Sequence, residues 1–125
     1  MPVLPKSTPP GSSTGTLELK ATKENAHSSS ITSVAFNPVD GKTIVSGSWD
    51  KTIKVWDSGA FWAQIALFGP NGLLLAYLAA TLDLKTEKSN AHSDWIRSVG
   101  FSPDGKAIVS GGDDKTIKVW DSGER

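Results

Sequence analysis

Apolar and polar residues alternate along several short stretches of the chain. Residues 96–101 and 107–111 are rich in β-branched and aromatic side chains, and Ile117 and Val119 flank the charged Lys118. A period of two is typical of a half-buried β-strand, because successive side chains point to opposite faces of a sheet. Asp-Gly and Asp-Lys-Thr sequences between these stretches favour tight turns. The pattern predicts short antiparallel strands joined by hairpins.

Two long segments of the chain are copies of one another. With Val39 treated as one extra residue, residues 17–60 and 82–124 are identical at 30 of 43 aligned positions. Both copies contain Asn-Ala-His-Ser, Ile-Val-Ser-Gly and Asp-Lys-Thr-Ile-Lys-Val-Trp-Asp-Ser-Gly. A repeat of about 42 residues, once the segment between the copies is set aside, indicates one supersecondary unit that stacks on its neighbour.

Each copy carries the same four predicted strands. They are expected over residues 17–20, 31–36, 44–48 and 53–56 in the first copy and over residues 82–85, 96–101, 107–111 and 117–120 in the second. The His, the Ser-Pro-Asp-Gly-like turn and the Trp-Asp ending of the third strand resemble the WD-repeat β-propeller family. The resemblance implies an all-β fold of two four-stranded antiparallel blades, in which the first strand of a repeat is the outer strand of the preceding blade. Residues 82–86 would then complete the first blade, and the second blade would lack its outer strand.

The chain divides into four parts on this interpretation. Residues 1–16 are a Pro-, Ser- and Thr-rich leader that we expect to be disordered, because it has almost nothing to bury. Residues 17–59 are the first repeat, residues 60–81 an apolar insertion and residues 82–125 the second repeat. Two blades leave apolar faces open. We therefore expect either a fragment of a longer propeller or a homo-oligomer that completes a ring.

The apolar insertion has three interpretations. Residues 60–82 carry no charge and are long enough to span a bilayer, which would make the chain a membrane-associated interaction module. Phe68, Pro70 and Gly72 resemble a decayed copy of the turn between the first two strands, which would make the segment a hairpin remnant. The third interpretation, which we favour, is a loop insertion with a short helix over residues 73–80.

Composition excludes several classes of function. The 125 residues contain 13 Lys and Arg against 13 Asp and Glu, so no excess of positive charge predicts a nucleic-acid partner. The chain has no Cys and two His, and we therefore expect no metal site and no cofactor. With no secretory signal evident, these features favour an intracellular, cytoplasmic protein.

Each copy contains a Ser, a His and an Asp, the residue set of a nucleophilic triad. Each set is accompanied by a Trp, and in the resembled family these four residues form a buried hydrogen-bond network. We interpret both sets as structural tetrads and expect no enzyme activity. The tetrads are His27, Ser46, Asp50 and Trp56, and His92, Ser110, Asp114 and Trp120.

Differences between the copies indicate where a partner binds. The resemblance places three positions of each blade on the top face, where such propellers bind peptides and proteins. The predicted partner-binding residues are Ser30, Thr32 and Trp49 in the first copy and Trp95, Arg97 and Asp113 in the second. Trp and Arg dominate the energetics of protein interfaces, so we expect a non-catalytic scaffold for protein–protein interaction.

Overall fold

The computed structural model of the chain describes residues 15, 17, 19–59, 64–68, 74–78 and 82–123, and these residues form nine strands and no helix. The strands are β1 (Ile31–Phe36), β2 (Thr43–Ser48), β3 (Ile53–Asp57), β4 (Gln64–Phe68), β5 (Leu74–Leu78), β6 (Asp83–Lys88), β7 (Ile96–Phe101), β8 (Ala107–Gly112) and β9 (Ile117–Asp121). The all-β class expected from the alternating pattern is confirmed.

The strands form two blade-like antiparallel sheets and one hairpin. The first sheet has the order β1-β2-β3-β6, the second has the order β7-β8-β9, and β4 pairs with β5 alone. The register of β2 on β3 places Ser46 opposite Lys54, and the register of β8 on β9 places Ser110 opposite Lys118. The two blades therefore repeat one arrangement, as the sequence repeat predicts.

The outer strand of the first blade comes from the second sequence copy. Strand β6 pairs with β3, placing Leu84 opposite Trp56 and Asp83 opposite Asp57. The strand predicted over residues 17–20 is wrong, because residues 17, 19 and 20 lie in no strand and Leu17 is 97% exposed. A strand needs the edge of a neighbouring strand to form hydrogen bonds with its backbone N–H and C=O groups. In the described part of the chain, the edge of β3 is taken by β6, and the outer edge of β9 pairs with no strand.

The core lies between the two blades. Its buried side chains come from β2, β3, β7 and β8 and from the loop before β7, and they form one cluster: Val45, Ile53, Val55, Ala91, Ile96, Val99 and Ile108. Each fully buried Val or Ile contributes about 1.5–3 kcal/mol relative to an exposed one. The first repeat therefore depends on the second for much of its buried apolar surface.

At Gly47, the backbone of the first blade lies close to side chains of the second blade. A Cβ atom at this position would lie 2.8 Å from Cγ2 of Ile96 and 2.9 Å from Cγ1 of Val99. Beside it, the Ser33 hydroxyl accepts the Val99 N–H at 3.2 Å and lies 3.3 Å from the Val99 carbonyl oxygen, to which it can donate. The blade boundary therefore combines apolar packing with specific hydrogen bonds.

The apolar insertion is a hairpin where the structure describes it. Strands β4 and β5 pair antiparallel, with Ala66 opposite Ala76. The short helix expected over residues 73–80 is wrong, because residues 74–78 are extended and paired. The backbone groups of this segment are satisfied by the other arm of the hairpin instead of by a helical turn. The predicted leader lies, apart from Gly15, outside the described residues.

Candidate functional site

The first predicted tetrad is a chain of hydrogen bonds running through the first blade. Nδ1 of His27 lies 2.9 Å from Oδ2 of Asp50, and its Nε2 lies 2.7 Å from Oγ of Ser46. The indole Nε1–H of Trp56 donates to the same Ser46 oxygen at 2.9 Å. A carboxylate only accepts, so Nδ1 of His27 carries the donated proton. The chain ties the loop before β1 to the turn before β3.

The second tetrad repeats this geometry in the second blade. Nδ1 of His92 lies 3.0 Å from the Asp114 carboxylate, Nε2 of His92 lies 2.8 Å from Oγ of Ser110, and Trp120 donates to that oxygen at 2.9 Å. Thr116 joins this network, because its hydroxyl donates to Asp114 at 2.7 Å and lies 3.0 Å from Nδ1 of His92. The repetition makes the network a property of the repeat unit.

The acidic member of each tetrad is held ionised. Burial opposes ionisation of Asp50, but hydrogen bonds from His27 and from the backbone N–H groups of Thr52 and Ser28 outweigh it and lower the pKa of Asp50. At Asp114, desolvation is likewise outweighed by hydrogen bonds, first from Thr116 and then from His92, and its pKa lies well below the ordinary range. Ionised carboxylates strengthen the hydrogen bonds that they accept.

The Asp–His–Ser order matches that of a nucleophilic triad, but the serines are poorly placed for attack. Ser46 and Ser110 are each 2% exposed. Each hydroxyl oxygen also accepts an indole N–H, so that each serine hydroxyl is already engaged inside the network. A nucleophile must reach its substrate in a site that also holds oxyanion donors. The geometry instead suits a network that fixes the position of a loop.

Two lysines that sequence reasoning missed also bind these loops. Nζ of Lys54 donates to the Ala26 carbonyl at 2.7 Å, and Nζ of Lys118 donates to the Ala91 carbonyl at 2.9 Å. Both alanines directly precede the tetrad histidines. The sequence did indicate that these two lysines have the same role, because each occupies the same place in the repeated Thr-Ile-Lys-Val-Trp run.

Four of the predicted partner-binding residues form one surface cluster, the Trp–Arg patch, consisting of Trp49, Trp95, Arg97 and Asp113. The rings of Trp49 and Trp95 stack across the blade boundary with centroids 3.9 Å apart. The Arg97 guanidinium lies 5.3 Å from the Trp95 ring centroid. Its Nε and Nη2 donate to the two carboxylate oxygens of Asp113 at 2.8 and 2.9 Å. This pair lowers the pKa of Asp113.

The other two predicted residues lie at the edge of this patch and differ in accessibility. Ser30 is exposed, and its carbonyl accepts the backbone N–H of Trp49 at 3.0 Å. The Thr32 hydroxyl is engaged at the blade boundary, because it donates to the Ile96 carbonyl at 2.6 Å and lies 3.2 Å from the Gly47 carbonyl. Thr32 therefore contributes to blade docking. The buried Nε1 of Trp49 has no acceptor among the described residues.

Among the described residues, no three His, Cys, Asp or Glu side chains are grouped so that they could hold a metal ion. Nor do these residues include a helix of the length and apolar character that crossing a membrane requires. The tetrads and the Trp–Arg patch are the candidate sites that the geometry supplies.

Comparison with known proteins places both repeats in one family. The family described as WD domain, G-beta repeat matches residues 17–57 and residues 84–121. Together these matches cover more than half of the chain. They coincide with the two sequence repeats and leave out the apolar insertion.

The chain is also similar in sequence to several curated proteins. The chain is 31% identical over 102 residues to nuclear distribution protein PAC1 of Arthroderma otae, covering 76% of this chain and 17% of that protein. It is 32% identical over 96 residues to small ribosomal subunit protein RACK1y of Oryza sativa, covering 76% of this chain and 22% of that protein. It is 31% identical over 103 residues to cross-pathway control WD-repeat protein 2 of Flammulina velutipes, covering 82% of this chain and 26% of that protein. The chain thus spans about a quarter or less of the length of these relatives.

Proposed function

The chain belongs to the WD-repeat family, and from that premise we propose that it is a non-catalytic scaffold that binds a peptide or protein segment on the Trp–Arg patch. One observation carries the proposal. The two copies are nearly identical along their strands, yet the patch positions differ: Trp49 aligns with Asp113, Ser30 with Trp95, and Thr32 with Arg97. Packing constrains the buried positions of the strands, so surface residues that differ between otherwise matched copies are free to serve recognition.

The chemistry of the patch suits a peptide. The Arg97 side chain is 53% exposed, and its Nε and Nη2 groups donate to Asp113. A guanidinium carries five N–H donors, so others are open to a carbonyl or carboxylate of the partner. Trp95 is 36% exposed and supplies a rigid aromatic surface beside this charge. Buried Trp and Arg side chains are the usual centres of binding energy at interfaces.

The positions of these groups are fixed before a partner arrives. The Trp49–Trp95 stack, the Arg97 contact with Trp95 and the two-point pairing with Asp113 each limit the rotamers of the patch. Side chains that are already ordered lose little conformational entropy on binding, which favours affinity. The tetrads add to this order by fixing the loops that precede β1 and β7.

Selection from a library of random linear peptides tests the proposal. Peptides selected on the wild-type chain are labelled, and their affinities are compared for wild type, Trp95→Ala and Arg97→Ala by fluorescence anisotropy. We expect each substitution to weaken binding by at least about tenfold, as for a central interface residue. Lys106→Ala is the matched control, because Lys106 is exposed in the turn at the opposite end of the strands. It should leave the affinity unchanged.

Two outcomes would overturn the proposal. One is that no peptide is selected. The other is that selected peptides bind Trp95→Ala and Arg97→Ala as tightly as the wild type, which would place the binding surface elsewhere. Circular dichroism of each variant establishes that a lost affinity does not come from a lost fold.

A further inference from the structure

One edge of the Arg97 guanidinium is occupied by an acid of the chain itself. Nε and Nη2 of Arg97 donate to the two carboxylate oxygens of Asp113 at 2.8 and 2.9 Å. A guanidinium uses such an edge to bind a carboxylate at two points. The backbone N–H of Asp113 donates to the Trp95 carbonyl at 2.9 Å, which holds the acid beside the patch. Asp113 therefore takes a place that an acidic partner would otherwise use.

The charges around Arg97 are mostly negative. Hydrogen bonding to Asp113, and then the charges of Asp113 and Asp94, raise the pKa of Arg97. The hydrogen bonds from Arg97 lower the pKa of Asp113, and the charge of Asp114 opposes this shift. One guanidinium thus shares its surroundings with three carboxylates. A further carboxylate from a partner gains little net attraction, because its attraction to Arg97 is offset by repulsion from these acids.

A neutral hydrogen-bond acceptor avoids this repulsion. Asp113 takes two of the N–H groups of Arg97, and a guanidinium has five, so others can donate to a main-chain carbonyl or to the amide oxygen of Asn or Gln. Such a group brings no charge and leaves Asp113 in place. A partner carboxylate is disfavoured in either of two ways: it binds beside like charges, or it displaces Asp113 and leaves that acid unpaired next to it.

The acid and the base occur together in one copy of the repeat. The first copy has Thr32 and Trp49 at the positions of Arg97 and Asp113. The side chains of Arg97 and Asp113 are 53% and 36% exposed. Exposed ion pairs contribute little to the free energy of folding, so stability is a poor account of this pair. Arg97 alone would be an open anion-binding side chain, and Asp113 removes that property.

We propose that Asp113 determines the specificity of the Trp–Arg patch, so that the patch binds peptide segments with a neutral acceptor at Arg97 and rejects segments with an acidic side chain there. The inference rests on the proposed function and adds to it the charge of the partner. Trp95 supplies apolar contact, Arg97 supplies hydrogen-bond donors, and Asp113 supplies the selection against acidic partners. Like charges placed against the wrong partner are a common source of specificity.

Peptides that differ only in charge measure this selection. A peptide selected on the wild-type chain, whose binding is weakened by Trp95→Ala and by Arg97→Ala, is synthesised with each residue replaced in turn by Glu and by Gln. Because Glu and Gln have nearly the same shape, the ratio of their dissociation constants at one position reports the effect of charge. Fluorescence anisotropy gives this ratio for wild type, Asp113→Ala and Asp113→Asn, and circular dichroism checks that each variant is folded.

Two matched controls remove a negative charge without releasing Arg97. Asp94→Asn does so near the guanidinium, and its amide oxygen can still accept the backbone N–H of Trp95, as Asp94 does at 2.7 Å. Asp104→Asn does so in the exposed turn between β7 and β8, at the other end of the strands. The first control measures the effect of local charge alone, and the second measures the effect of net charge.

We expect at least one peptide position at which Glu binds the wild type about fivefold or more weakly than Gln. In Asp113→Ala the order at that position reverses, because the freed Nε and Nη2 groups of Arg97 bind the Glu carboxylate at two points. In Asp113→Asn the penalty disappears, because asparagine stays beside Arg97 without a charge. Asp94→Asn reduces the penalty without reversing it, and Asp104→Asn leaves it unchanged.

Three results would overturn the inference and leave the proposed function intact. The first is a ratio near one at every position in the wild type, and the second is a penalty that persists in both Asp113 variants. The third is a reversal in Asp94→Asn as large as in Asp113→Ala, which would mean that local charge and not the pairing with Asp113 sets the preference. Failure to select a peptide that depends on Trp95 and Arg97 would overturn the proposed function and this inference with it.

Discussion

Trp49 and Trp95 stack nearly parallel across the blade boundary, with ring centroids 3.9 Å apart and ring planes inclined at 13°. Trp49 follows β2 of the first blade, and Trp95 precedes β7 of the second. The tryptophan pair therefore has two roles. It joins the blades, and its exposed edge forms part of the surface that we propose for peptide binding.

The stack should contribute a measurable coupling energy. We expect a double-mutant cycle of Trp49→Ala and Trp95→Ala to give about 0.5–1.5 kcal/mol, because an aromatic pair in contact stabilises beyond the area that it buries. Urea unfolding of the four proteins supplies the free energies. The cycle of Trp49→Ala with Lys106→Ala at the far end of the strands serves as the control and should be additive. Additive effects for the two tryptophans would mean that the stack contributes nothing.

The second tetrad should stabilise the fold through a buried hydroxyl. His92→Ala removes the imidazole that bonds Ser110, which is 2% exposed. We expect the free energy of unfolding to fall by about 1–3 kcal/mol, because a buried polar group loses a partner. Thermal denaturation followed by circular dichroism measures the loss. Ser93→Ala, at the exposed neighbouring position, is the control and should melt like the wild type; an unchanged melting temperature for His92→Ala would contradict a stabilising network.

Equivalent glycines in the two copies should respond differently to the same substitution. Gly47→Ala places a methyl group 2.8 and 2.9 Å from the side chains of Ile96 and Val99, whereas Gly111→Ala meets only a carbonyl oxygen at 4.0 Å. We expect Gly47→Ala to destabilise the chain by about 1–3 kcal/mol through overpacking and Gly111→Ala to have little effect on folding. Denaturant unfolding at low protein concentration measures both. Equal effects would show that the boundary yields to the added methyl group.

Stability should fall in acid because of the tetrad carboxylates. The folded-state pKa values of Asp50 and Asp114 are lowered, so the unfolded chain takes up protons first as the pH falls. Their contribution is fully present above about pH 4, the ordinary range of an aspartate, and is lost as the pH falls through the lowered values.

Unfolding midpoints in urea between pH 2 and pH 7 test this pH dependence. Asp50→Asn should be less stable at neutral pH and should show a flatter decline below about pH 4. Lys106→Ala changes no carboxylate and should retain the slope of the wild type. A decline in Asp50→Asn as steep as in the wild type would mean that this carboxylate does not supply the acid dependence.

Much of the blade could be predicted from local pattern. Alternation at Ile117 and Val119 gave the third strand, since side-chain direction along a strand depends only on neighbouring residues. The tetrad residues could be found because both copies contain the four residue types that form a buried network in the WD-repeat family, which the sequence resembles. The structure then places His92, Ser110 and Trp120 within hydrogen-bond distance.

The secondary-structure predictions were wrong where a strand depends on a partner strand that is distant in the sequence. Residues 17–20 carry the same alternation as residues 82–85, yet the strand of the second copy forms because β3 offers it an edge. Residues 74–78 have the composition of a short helix, but they pair with residues 64–68. Local propensity is a weak guide in both cases, because the hydrogen-bonding partner determines the outcome.

The sequence by itself determined the repeat and the three inner strands of each copy, because these follow from short-range periodicity repeated in two copies, and the resemblance to the WD-repeat family indicated the residues of the polar network. Only the tertiary structure decided that Trp49 lies on Trp95, that the Thr32 hydroxyl is used at the blade boundary, and that the side chains buried in one blade are exposed in the other. The reason is geometric. Identical strands acquire different roles according to which face a neighbouring blade covers, and burial depends on that neighbour and not on the residue itself.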